Sequence, residues 1–438
     1  MNGLQTDLYQ LTMAAGFFET GKVRERATFE LFVRHLPRHR EFLVSAGLAQ
    51  AVDYLLNLSF TGEQVDYIRK LPQFERVSPA FFEYLRAFRF TGDVFAMREG
   101  TPFFPGEPIL TVRAPLVEAQ IPETYLLAML SFQSMIATKA VRVARAADGR
   151  SVVEFGTRRA HSPEAGVLAG RAAYIGGCIG TSNVEAGFRY GIPVFGTAAH
   201  SWVMSFPRER AAQEALQKLL GARAAYLIDT YDTVEGARMV ASLGKPLWGV
   251  RLDSGDLVKL AREVRKILDA AGLPEAKIMA SGDLNEEKVR MIVQADAPID
   301  VFGVGTELAT SADSPNVAAV YKMSEMEIDG IKRYTFKHSV EKETLPGAKQ
   351  VFRHAGRDQI ACEWECPPIL AGGRPAIALL RPVILDGELV EPLPDAASAR
   401  EHCASSMDSI TPGHIVEYSA ELRQLAERAA DDVMKIRP

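Results

Sequence analysis

Between Val152 and Thr306 the chain repeats one pattern of apolar and polar positions. A short run of β-formers ends, and Thr, Ser, Arg, Asn, Asp or His follow at once. The runs are VVEFG (152–156), GCIG (177–180), IPVFG (192–196), AAYLID (224–229), PLWGVRL (246–252), AKIMAS (276–281) and IDVFGVG (299–305). Segments of helical periodicity lie between several of them, at 206–220, 234–243, 256–271 and 285–295. About seven strands in βα alternation imply a parallel barrel or a doubly wound sheet. Polar residues follow every run, whereas an open sheet gathers its site at one switch point. The pattern therefore predicts an α/β fold with an irregular parallel βα barrel.

The flanking segments read differently. Leu8, Leu11, Ala15 and Phe18 recur at helical spacing, with Thr6 or Asp7 as cap and with Tyr9 and Gln10 off the stripe. Residues 27–37 alternate as a strand. Residues 41–90 carry helical stripes such as Ala51, Tyr54, Leu55 and Leu58, and 90–116 break into short β-runs at Gly and Pro. A helix is expected from about Pro122 to Ala146. After 306, VAAVYKMSEM and KRYTFKHS read as strands, LPGAKQVFR as a turn with a strand, 394–400 as a loop, and 415–435 as ending in a helix. The predicted organisation is an N-terminal α+β lobe (1–145), the barrel with the active site (146–310), and a return to the first lobe with C-terminal helices (311–438).

Composition narrows the function. A chain of 438 residues exceeds one compact core. A hydrophobic content of 47% and a charged content of 24% place it among ordinary globular proteins. A net charge of −5 gives no broad basic field, which argues against nucleic acid but leaves room for a locally basic pocket. Four cysteines in this length do not make a disulfide framework. No leader pattern or apolar run of membrane length stands out, so the expectation is a cytoplasmic protein with no membrane partner.

The strand ends supply the candidate chemistry. They hold Phe155, Arg158 and Arg159; Thr181, Ser182 and Asn183; Thr197 and His200; Asp229 and Asp232; Arg251, Asp253, Ser254 and Asp256; Ser281 and Asp283; and Thr306 with Glu307. SGDL (281–284) and GVGTEL (303–308) are glycine loops of the kind that let backbone approach phosphate, though glycine before a helix is also a plain turn. In DSGD (253–256) two carboxylates could hold a ribose diol or magnesium, or cap a helix. On position alone His200 is either structural or catalytic. Cys362, Cys366, Cys403 and His354 lack zinc spacing.

Taken together, TDLYQLTM (6–13), FELFVR (29–34), EFGTRRAH (154–161), GTSNVEAG (180–187), GTAAHSW (196–202), DTYDT (229–233), RLDSGDL (251–257), ASGDLNE (280–286), FGVGTEL (302–308), VYKM (320–323) and LPGAKQVFR (345–353) resemble the nicotinate phosphoribosyltransferase family. They keep chain order over most of residues 6–353. The resemblance implies that nicotinate attacks C1 of phosphoribosyl pyrophosphate, giving nicotinate mononucleotide and pyrophosphate. It also implies ligase-type coupling to ATP hydrolysis through a phosphohistidine at His200, magnesium as cofactor without a fixed protein site, and a homodimer with shared active sites. It carries Arg158, with Arg159 beside it, to the phosphates, and Gly282, Asp283, Gly303 and Gly305, with Ser281 and Thr306, to the 5′-phosphate loops. Asp253 falls to the ribose, and Phe155 and the partner's Tyr9 to the pyridine walls. Arg251 falls beside the pyridine substituent, and Thr197 and Ser182 are carried over as further substrate-binding residues. Spacing alone leaves Tyr9 as an interface residue; the resemblance moves it into the site. Two alternatives remain: a relative acting on nicotinamide, and a non-catalytic barrel that binds phosphorylated ligands. Ser182 bears on the first, because nicotinamide-using relatives carry an aspartate there to accept from the amide.

Overall fold

Six strands of one unit, Met135–Pro315 with Asp395–Glu401, form a wholly parallel sheet. Its order runs from Gly180–Thr181 through Ser151–Glu154, Val301–Val304, Lys277–Ala280 and Gly249–Leu252 to Ala225–Leu227. The computed structural model describes residues 3–336, 344–354, 356–370 and 372–436. Because every pairing in this sheet is parallel, the C-terminal ends of all six strands share one edge. Val301–Val304 is buried at all four positions, as a strand covered on both faces must be. Val153, Met279 and Val301 form a core cluster against which Phe155, Ile179, Phe195 and Trp248 pack.

The seventh expected strand, 192–196, is reduced to a bridge between Thr181 and Val194. Pro193 has no N–H to donate, and Gly196 ends the run, so neither supports a longer ladder. Among the described residues no pairing joins this bridge to Ala225–Leu227, so the hydrogen bonds give a parallel sheet rather than a closed barrel.

The helices follow from their stripes. Leu257–Ala270 buries Ala261, Val264 and Leu268 and leaves Lys259, Arg262 and Lys266 exposed. Asn183, Asp232, Asp256 and Asn285 each cap a helix with a side-chain oxygen. The loop expected at 394–400 is instead the start of the helix Ala396–Met407. Asp395 accepts the Ser398 N–H at 2.8 Å, so a sequence rich in small residues has its cap after Pro394. Arg400 then donates to the Cys178 carbonyl at 3.1 Å.

The other unit comprises Met1–Ser134, Asn316–Pro394 and His402–Pro438. Its seven-stranded antiparallel sheet has Arg26–Val33 between Leu110–Pro115 and Ala319–Ile328. That strand is buried on both faces, and Glu30 within it pairs with Lys349 at 2.6 Å. Of the strand expected at 332–339, Ile331–Tyr334 is formed and 337–339 lie outside the described residues. Residues Leu116–Ala146 are long and apolar enough to cross a membrane, contrary to the expectation that no run is. Its most apolar window is 67% buried inside the protein, as a core helix would be.

Candidate active site

A cavity of about 240 Å³ opens at the C-terminal edge of the parallel sheet. Four strand ends build it. Ser151–Glu154 leads into Phe155, Arg158 and Arg159; Gly249–Leu252 carries Arg251 and leads into Asp253. Lys277–Ala280 leads into Ser281, Gly282 and Asp283, and Val301–Val304 carries Gly303 and leads into Gly305 and Thr306. These eleven residues, all singled out in the sequence, line it together.

Arg251 is the hub. Its Nε donates to Ser281 Oγ at 2.8 Å, one terminal nitrogen to Thr197 Oγ1 at 2.9 Å, and the other to Asp253 Oδ1 at 2.7 Å. A guanidinium has five N–H donors, so three bonds leave two N–H groups for a ligand. Its Cζ lies 5.6 Å from the centroid of the Phe155 ring, within cation–π range. A flat apolar face and a held cation thus stand side by side.

Asp253 also accepts from Ser281 Oγ at 2.5 Å. Burial pushes its pKa up, but the Ser281 hydrogen bond, Arg251 and His200 outweigh this and hold it below the ordinary value of 3.8. It is an ionised carboxylate at neutral pH. Asp229 fixes the turn from behind, with Oδ2 accepting from the Asp253 N–H at 2.8 Å and from Ser254 Oγ at 2.7 Å. The second oxygen of Asp229 is buried with no hydrogen-bond partner among the described residues.

Arg158 and Arg159 sit on a single 3₁₀ turn, Thr157–Arg159, and both are exposed. Neither guanidinium has an ion pair or hydrogen bond among the described residues. Opposite charges are what such a pair lacks, so the cavity favours an anion.

Two glycines are required by close approach. Gly282 has φ +95°, and a Cβ there would lie 2.1 Å from the Asp253 carbonyl oxygen. A Cβ on Gly303 would meet Phe155 Cδ2 at 2.6 Å, so this glycine makes room for the ring. Asp283 follows at φ +46°, an uncommon conformation for a side chain with Cβ.

The remaining sequence candidates fall outside the lining. Thr197 reaches the cavity only through Arg251. His200 begins the helix His200–Met204, and its Nδ1 lies 3.1 Å from Thr230 Oγ1. Ser182 follows the strand Gly180–Thr181; its N–H donates to the Glu154 carbonyl at 2.9 Å, and the helix cap is Asn183. Asp256 proves to be a cap, accepting from the Lys259 N–H at 3.0 Å. Tyr9 lies in the other unit, on the helix Leu8–Glu19, and is 49% exposed. Asp7 stands at that helix's cap position without making a cap bond; it accepts instead from Thr124 Oγ1 at 2.7 Å.

Sequence reading missed Glu154. Its side chain is fully buried, accepts from the Gly156 N–H, and accepts from Thr181 Oγ1 at 2.6 Å. It ties the turn bearing Arg158 to the turn bearing Ser182. Burial raises its pKa, while the Thr181 and Gly156 hydrogen bonds oppose the rise. A charged residue within an apolar strand was the available signal.

Two family models match the chain: the nicotinate phosphoribosyltransferase N-terminal domain over residues 4–131 and the nicotinate phosphoribosyltransferase family over residues 150–361. A Mycobacterium tuberculosis nicotinate phosphoribosyltransferase, pncB2, is 40% identical over 422 residues, covering 94% of this chain and 88% of its own. The Bacillus subtilis nicotinate phosphoribosyltransferase is 43% identical over 359 residues, covering 80% and 72%. The crystal structure of human nicotinic acid phosphoribosyltransferase superposes with a TM-score of 0.83 at 29% identity, over 97% of this chain and 99% of that one. By both domain models and by identity over nearly its whole length, the chain belongs to the nicotinate phosphoribosyltransferase family.

Proposed function

We propose that this chain transfers the phosphoribosyl group of phosphoribosyl pyrophosphate to nicotinate, coupled to ATP hydrolysis through phosphorylation of His200, in the cytoplasmic synthesis of NAD. The observation that carries this reading is a cavity with two unpaired guanidiniums facing glycine loops, beside a held arginine and an aromatic face. The proposal includes a sheet that curls into an irregular barrel, a second lobe built from both chain ends, and a homodimer with shared sites. The core cluster that takes in Ile179, Phe195 and Trp248, from widely spaced strands, supports the curl.

In this mechanism the pyridine nitrogen attacks C1 while the C1–oxygen bond breaks and pyrophosphate leaves with the electron pair. Arg158 and Arg159 take up the charge growing on the leaving group. Asp253, kept ionised, faces the ribose as C1 gains oxocarbenium character. Phe155 stacks on the pyridine, and the two spare N–H groups of Arg251 receive its carboxylate. The loops at Gly282 and Gly303 admit the 5′-phosphate. With Nδ1 of His200 engaged by Thr230, Nε2 is the nitrogen left to accept a phosphoryl group, ADP being displaced.

Magnesium takes oxygen ligands and usually arrives with substrate phosphates. The carboxylates of Asp253 and Asp229 are donors of that kind, and the partnerless buried oxygen of Asp229 fits a hard cation or its water. When bound, the ion would neutralise diphosphate charge.

Labelled nicotinate incubated with phosphoribosyl pyrophosphate, with and without ATP, tests the reading. Labelled nicotinate mononucleotide, formed faster with ATP, is the expected result. No product under either condition refutes it.

A further inference from the structure

We propose that Lys139 is a positioning residue for the phosphate-binding end of the cavity, one buried ammonium that holds both glycine loops in register. The inference rests on the reading of those loops as phosphate-binding. Lys139 lies on the helix Glu123–Ala146 and is 1% exposed. Its Nζ is 2.7 Å from Glu286 Oε2, 2.8 Å from Asp313 Oδ1 and 3.7 Å from Glu307 Oε2.

The places of these partners give the cluster its meaning. Glu286 is the first residue of the helix Glu286–Gln294, three positions after Asp283. Glu307 directly follows Thr306, the last residue of the other loop. One cation therefore touches the element after each loop. Arg142, on the adjoining turn, pairs with Glu286 Oε1 at 2.5 Å and with Asp313 Oδ2 at 2.7 Å, so the lysine has a fixed seat.

Stability alone does not account for this arrangement. Removing a lysine from water costs several kcal/mol, and well-packed apolar residues generally serve a core as well or better. What an apolar residue cannot do is attract the Glu286 and Glu307 carboxylates to one charge, an ammonium that is itself hydrogen-bonded to Asp313 at 2.8 Å. Gly282, Asp283, Gly303 and Gly305 gain flexibility from their glycines, and phosphate-binding backbone must not move. The ammonium supplies the missing constraint from the side away from the ligand.

The test measures binding of phosphoribosyl pyrophosphate and of inorganic pyrophosphate by calorimetry, alongside steady-state kinetics, on the full-length protein. Lys139→Met is expected to raise KM and Kd for phosphoribosyl pyrophosphate about tenfold or more while KM for nicotinate changes less than about threefold. Restoring the charge with Lys139→Arg should recover part of that loss. A folded Lys139→Met with unchanged binding, or with both substrates weakened equally, overturns the proposal. If Lys139→Met does not fold, Glu307→Gln serves instead, because Glu307 is 32% exposed at its side chain and its loss leaves the core intact. That variant should weaken phosphoribosyl pyrophosphate binding at least about twofold, and unchanged binding overturns the proposal. A wild-type protein that binds phosphoribosyl pyrophosphate but forms no product sinks the enzymatic reading and leaves the calorimetric test standing.

Discussion

In the proposed mechanism His200 and Ser182 would carry the two choices that single side chains can make here, energy coupling and base selection. If Nε2 of His200 is the phosphoryl acceptor, ATP labelled at the γ-phosphate should mark this residue. His200→Ala should then abolish ATPase activity and leave slow ATP-independent transfer. Acid-labile phosphate persisting on the Ala variant would place the acceptor elsewhere. Base selection follows from charge. In the proposed slot a nicotinate carboxylate would draw on the two spare N–H groups of Arg251, whose charge Asp253 already shares, so a further anion nearby would be repulsive. Ser182 is neutral and can donate. Ser182→Asp should lower kcat/KM for nicotinate by about tenfold, a loss of about 1.4 kcal/mol, and improve relative use of nicotinamide. An unchanged ratio of the two kcat/KM values means that another residue selects the base.

Strand ends and the turns that follow them are the elements that make the cavity, and Glu154 joins two of these turns. Its raised pKa means that the folded state holds the proton more tightly than the unfolded chain. Stability from this group is therefore largest below about pH 4.5, its unfolded range, and falls as pH rises through the higher folded value. Asp253 has the opposite sign: its contribution is present above 3.8 and lost as pH falls through its lowered value. Glu154→Gln cannot titrate, so thermal unfolding across pH 4–8 should show a smaller loss of Tm with rising pH than the wild type. Parallel curves for the two proteins contradict this. The variant should also cost about 1–3 kcal/mol, because a buried amide N–H2 meets one of two donors. Much at this scale was legible. Short β-runs followed by polar residues mark the strand ends because a parallel sheet directs every strand-to-helix loop to one edge. The partners of Glu154 and Lys139 were not legible. Thr181 lies 27 residues from Glu154, and Glu286 lies far down the chain from Lys139. A carboxylate in a strand or a lysine in a helix looks solvent-facing until its distant partner is placed. The helix at Ala396–Met407 was hidden for a related reason: its cap bond at Asp395 is local, but its weak apolar stripe is not.

At the scale of the whole molecule, the place of Tyr9 bears on how many chains make one site. Tyr9 is a half-exposed aromatic on the helix Leu8–Glu19, and burial and the charges of Glu123 and Asp7 raise the pKa of its hydroxyl, so it stays neutral at physiological pH. A neutral ring, apolar and partly uncovered, suits the second wall of a pyridine slot better than bulk water. If that slot belongs to a partner subunit, a closed two-fold dimer holds two equivalent sites, each taking Tyr9 from one chain and Arg158 from the other. Tyr9→Ala and Arg158→Ala homodimers then each lack one component at both sites. In a heterodimer the two losses fall together: one site lacks both side chains and the other has both. Mixing the inactive variants in equal amounts with free subunit exchange gives about half heterodimers, each with one intact site, so activity should recover to about a quarter of the wild-type value. Affinity-purified heterodimers should reach about half. Recovery must vanish when both substitutions are placed on the same chain and mixed with a single Arg158→Ala variant, because no site then holds both residues. Verified heterodimers without recovered activity mean that Tyr9 serves its own chain or none.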